Sequence, residues 1–72
     1  MTHRYTVVIE KGPKSYGAYV PDLPGCVAVA KTRPAASRLI RQAIKFHLED
    51  LRDRGVRVPR PQAVADLVEV AV

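Results

Sequence analysis

The chain has 72 residues, 47% of them hydrophobic, with 12 lysines and arginines against seven acids and a formal net charge of +5. That length makes one domain at most, residues 1–72, and the hydrophobic share argues against disorder. No apolar run approaches the roughly 18–20 residues that span a bilayer. The start, Met1-Thr2-His3-Arg4-Tyr5, lacks the apolar stretch of a signal peptide, so a cytoplasmic protein is expected.

A domain this small buries only about 60% of the surface its unfolded chain exposes. A homodimer or higher homo-oligomer, or a partner that covers apolar surface, is therefore expected. The single Cys26 excludes an intramolecular disulfide and supplies no metal-ligand pair. Eight arginines and four lysines make a basic surface that favours anionic partners. The absence of Asn and Trp, the single Met and the six prolines resemble the composition of heat-adapted proteins.

Tyr5-Thr6-Val7-Val8-Ile9-Glu10 is rich in β-branched and aromatic residues and predicts a first strand. Lys11 to Ser15 is a loop by composition, and Tyr16 to Val20 returns as a second strand. Pro21-Asp22-Leu23-Pro24-Gly25-Cys26 then predicts a sharp turn. Pro24 pre-sets the second position of a type II turn, and Gly25 supplies the positive φ of the third. Asp22 is short enough to accept hydrogen bonds from N–H groups the turn leaves free. Cys26 to Ala30 is a third strand, completing an antiparallel meander.

Thr32 is a candidate N-cap and Pro34 suits a first helical turn. The helix should run to about Arg54 and stop at Gly55. Ala36, Leu39, Ile40, Ala43, Ile44, Leu48 and Leu51 trace one apolar face at 3.6 residues per turn. Arg38, Arg41, Lys45 and Arg52 cluster away from it. Pro59-Arg60-Pro61 is a stiff extended connector, and Val64 to Val70, interrupted by Asp66 and Glu69, predicts a last strand. The expected fold is α+β, a small antiparallel sheet packed against one amphipathic helix in the order β-β-β-α-β.

No catalytic, cofactor or metal site is expected. His3 and His47 have no histidine or cysteine at ligand spacing, and His47 lies on the apolar face as a packed or interface residue. Neither Ser15 nor Ser37 is placed as a nucleophile beside it. The acids do not pair on converging elements for acid–base work, and Cys26 reads as a small buried hydrophobe. Two binding readings stand. Arg38, Arg41, Lys45 and Arg52 could contact phosphates of RNA or DNA, or form a solvated helix face. Tyr16 and Tyr19 could anchor a protein interface.

Tyr16 through Val27, a helix ending Ala43-Ile44-Lys45-Phe46-His47-Leu48, and the exit Gly55-Val56-Arg57-Val58-Pro59 together resemble the HicB-type antitoxin domain. The resemblance covers about Tyr5 to Val70. It implies a non-enzymatic protein that self-associates and neutralises a small RNA-cleaving toxin of the HicA type. Many members add a C-terminal DNA-binding segment; the chain ends before one, so a stand-alone domain without autoregulation is expected. The family's helix usually begins with an acidic pair, whereas this one begins Arg33-Pro34-Ala35-Ala36. A chain of charge +5 matches a basic toxin poorly. Either local acids (Glu49, Asp50, Asp53) make that contact, or the partner is another protein.

Overall fold

The computed structural model describes residues 2–72. Three strands, β1 (Val8–Lys11), β2 (Tyr16–Tyr19) and β3 (Val27–Ala30), form one antiparallel sheet in the order β1-β2-β3. The helix α1 (Arg33–Asp53) lies across one face of it. The register pairs Ile9 with Ala18 and Ala18 with Ala28. Strand geometry alternates side chains between faces, so Ile9, Tyr16, Ala18, Ala28 and Ala30 turn toward the helix. Alanine dominates this layer, and its small side chains let the helix approach closely. Val20, Leu23, Cys26, Ala36 and Ile40 complete the buried centre.

The first strand starts later than Tyr5 because its partner runs out. Val8 pairs with Tyr19; Val20 N–H donates to Cys26 O on the β3 side, and the next residue that could bond to the first strand, Pro21, has no N–H. The segment between β2 and β3 is two β-turns sharing Leu23. Leu23 N–H donates to Val20 O at 3.0 Å, and Cys26 N–H donates to Leu23 O at 3.0 Å. Gly25 has φ +83°, the left-handed value that a type II turn needs at its third position. Leu23 is 1% exposed: both turns fold around it as a plug in the core.

The helix ends where its sequence signals place them. Thr32 Oγ1 accepts from Ala35 N–H at 3.2 Å, and Pro34 sits in the first turn. At the C-terminus Gly55 has φ +71°, Val56 N–H donates to Leu51 O and Gly55 N–H to Arg52 O. This double bond pattern is a Schellman motif, which satisfies carbonyls that a helix end would otherwise leave free. Helix and exit thus follow from local chemistry.

Two expectations need correction. Leu39 is 42% exposed, because the sheet covers the line through Ala36, Ile40 and Leu51 and a helical rotation of 100° per residue carries Leu39 off it. The last strand does not form: residues 56–72 contain no strand, and the observed order is β-β-β-α. Residues with high strand preference still need a neighbour to pair with, and this segment lies along no strand of its own sheet.

Candidate partner-binding surface

Side chains near the start of the chain and in the double turn hold the connector after the helix. Pro59 and Pro61 have no N–H to donate. The first N–H groups after Pro61 are those of Gln62 and Ala63, and both donate to Asp22, at 3.0 Å to Oδ2 from each. Thr6 Oγ1 donates to Ala63 O at 2.9 Å, and Tyr5 Oη donates to Pro59 O. Asp22 therefore does not cap its own turn. It reaches forty residues along the chain, and the shape of the turn sets its position beside the connector. Burial, and next the negative charge of Asp22, push the Tyr5 phenol pKa up. The Tyr5 bond is thus fully present below the ordinary tyrosine range and is lost as pH rises through the raised folded value. Replacing Asp22 with Ala should free residues 59–63 at a cost of about 1–2 kcal/mol. Faster amide exchange at Gln62 and Ala63 in the variant would report it; unchanged exchange would mean Asp22 does not hold the segment.

The sheet face away from the helix has no cover among the described residues. Tyr19, Val27 and Val29 stand on it, the two valines 63% and 66% exposed, with Gly17 paired to Val29 between them. Tyr16 turns to the opposite face and packs against the core, so the two tyrosines do not make one surface. The signal for this face was the repeat Val27-Ala28-Val29-Ala30, where small residues point inward and large ones outward. Composition alone reads it simply as a strand.

On the outer side of α1, Phe46 is 66% exposed. Glu49, Asp50 and Asp53 follow it at three, four and seven residues, spacings that place them around the ring on the helix surface. Asp50 accepts an ion pair from Arg54 at 3.0 Å, an exposed contact of little energetic weight. Leu39, seven residues before Phe46, continues the apolar strip toward the N-terminus. The signal that places Phe46 on the outer surface is its helical angle relative to Ile40.

Arg38, Arg41, Lys45 and Arg52 are all exposed and lie along one flank of the helix over about 21 Å. No ion pair engages any of them among the described residues. Lys45 and Arg52 border a shallow cleft of about 410 Å³ with His3, Leu48, Glu49 and Val58. Glu49, half-buried, lines the same cleft. The cleft lining carries no serine, threonine or cysteine to act as a nucleophile. His47 is half-buried. Burial pushes the Cys26 thiol pKa up, which keeps the sulfur protonated and unreactive. Among the described residues no three potential metal ligands come together, and no helix is long and apolar enough to cross a membrane.

The family model described as "HicB_like antitoxin of bacterial toxin-antitoxin system" matches residues 5–71. A UPF0150 protein of Thermoplasma acidophilum is 38% identical over 61 residues, covering 83% of this chain and 88% of that protein. A UPF0150 protein of Helicobacter pylori is 38% identical over 65 residues, covering 89% of this chain and 90% of that one. An uncharacterized 14.9 kDa protein from the rep-hol intergenic region of Haemophilus phage HP1 is 30% identical over 64 residues. That match covers 89% of this chain and 48% of the phage protein. No solved structure matches the chain.

Proposed function

The chain belongs to the HicB-like antitoxin family of bacterial toxin–antitoxin systems, and from that membership we infer a cytoplasmic, non-catalytic, single-domain module that neutralises a small RNA-cleaving toxin of the HicA type. The observation that carries this reading is the extent of the match: residues 5–71 include the sheet, the helix, the clamped connector and the segment after it. The exposed surfaces support it. An antitoxin acts by covering its partner, which requires an anchor and complementary charge rather than reacting groups. Phe46, ringed by Glu49, Asp50 and Asp53, is an apolar anchor with an acidic rim suited to a basic protein, and Tyr19 with Val27 and Val29 offers a second contact face. Self-association belongs to the same reading.

The test is co-expression with the product of a small basic open reading frame neighbouring its gene. Co-purification of the two chains and rescue of growth from the toxin are expected. Phe46→Ala should weaken that complex roughly 30-fold, a loss of about 2 kcal/mol, while helical circular dichroism stays unchanged because the ring contributes nothing to the chain's own core. A toxin that neither co-purifies nor is neutralised would end the antitoxin reading; full affinity in the Phe46 variant would move the interface elsewhere.

The unpaired cations on α1 favour a second reading, contact with RNA or DNA phosphates. Each phosphate contact adds close to one unit to the slope of log affinity against log salt. Reversing Arg41 and Lys45 to Glu should therefore abolish binding to a single-stranded RNA in low salt. No measurable affinity of the unaltered chain at low salt would remove this reading.

A further inference from the structure

We propose that residues 64–72 are a strand donated to the β1 edge of a second copy of this chain, in a reciprocal exchange that forms a two-fold dimer. The inference concerns how the chain meets itself and does not rest on the identity of any toxin.

The segment is Val64-Ala65-Asp66-Leu67-Val68-Glu69-Val70-Ala71-Val72. It has neither proline nor glycine, and in an extended conformation Val64, Val68, Val70 and Val72 fall on one side together with Asp66, with Ala65, Leu67, Glu69 and Ala71 on the other. This is strand-forming chemistry whose apolar side, interrupted at Asp66, is continuous from Val68 to Val72. Within a single chain its apolar side chains stand open: Leu67 is 100% exposed, and Val64, Val68 and Val70 are 87%, 77% and 70% exposed. The chain up to Ala63, by contrast, is held by Asp22, Tyr5 and Thr6. The point of departure is fixed and everything after it is unpartnered.

The acceptor is on the same side of the molecule. β1 is an edge of the sheet, paired only with β2, and Tyr5 and Thr6 immediately precede it. An open edge presents unpaired N–H and C=O groups that template an added strand. Nine extended residues reach about 30 Å, against about 13 Å for the four-residue edge of β1. A segment launched beside its own β1 and directed outward meets the β1 side of a two-fold-related copy.

Charge favours the same partner. Asp66 and Glu69 are the only charged side chains in residues 64–72, so this segment carries −2 and the rest of the chain +7 of the +5 total. Reciprocal donation also closes the assembly. Each copy gives one strand and receives one at β1, so exchange stops at two copies and leaves neither segment free to recruit a third.

Sedimentation velocity combined with amide hydrogen exchange on the full chain tests this. A dimer is expected in the micromolar range, with those amides of residues 64–72 that face the β1 edge exchanging at least about 100-fold more slowly than an unpaired peptide. The double substitution Val68→Lys and Val70→Lys, at sites exposed in the single chain, should give a monomer with unchanged helical circular dichroism. A full chain that stays monomeric at high micromolar concentration overturns the proposal. So does a dimer whose tail amides exchange at unpaired rates, or one that survives the double substitution. If the tail becomes protected only on adding the toxin, the strand is donated to the toxin's sheet and the second-copy proposal fails.

Discussion

Leu23→Ala is expected to destabilise the chain by about 2–5 kcal/mol. A domain of this length has a total stability of roughly 4–11 kcal/mol, so the variant stands near the unfolding threshold at physiological temperature. The size of the effect comes from what the side chain does. Leu23 is among the two largest fully buried side chains, and it is the residue shared by the two turns whose bonds to Val20 and Cys26 close the loop. Removing it leaves a void under both turns at once. Thermal unfolding monitored by far-ultraviolet circular dichroism should show a midpoint lowered by 4–8 °C for each kcal/mol lost. A shift below about 4 °C would mean the loop is held by its backbone bonds alone. The loop also carries Asp22, so the same variant should loosen residues 62 and 63, linking core packing to the placement of the segment that follows.

Ile40→Ala should be comparably costly, about 2–5 kcal/mol, whereas Leu39→Ala next to it should cost under about 1 kcal/mol. Ile40 is 1% exposed and Leu39 42%. One helical step separates a side chain enclosed by the alanine layer of β2 and β3 from one at the margin of the outer surface. Chemical denaturation of the two variants side by side measures the contrast. Equal losses would place the sheet over a different line of the helix.

That contrast marks how far local pattern carries. The turn Leu23-Pro24-Gly25-Cys26, the Thr32 cap, Pro34 in the first helical turn and the Gly55 stop were all legible, because each depends on backbone preferences within a few residues. The three strands and the helix followed, and with them the α+β class and the family. Strand limits were less legible, since Tyr5 to Val7 has strand chemistry yet no ladder partner once Val20 enters the turn. Leu39 was assigned to the apolar face because a sequence shows which residues recur at 3.6 and not which line of them the sheet will cover. Asp22 reads as a cap of its own turn because an aspartate offers no sign of a partner forty residues away. The candidate surfaces divide the same way: the basic strip on α1 is periodic and was visible, while Phe46, Val27 and Val29 became surface features only once the core had chosen its own residues.

What the amino-acid order dictated, then, was local: where the chain turns, where the helix begins and stops, and which segments prefer to be extended. Tertiary structure decided three things that require two distant segments to meet. It set which helix stripe lies on the sheet, what Asp22 holds, and whether residues 64–72 have anything to pair with. The physical reason is common to all three. Turns and caps draw their energy from neighbours in sequence, whereas burial and strand pairing draw theirs from neighbours in space. The exposed valines after Ala63 are the clearest case, a strand in composition that becomes one in structure only when another edge is supplied.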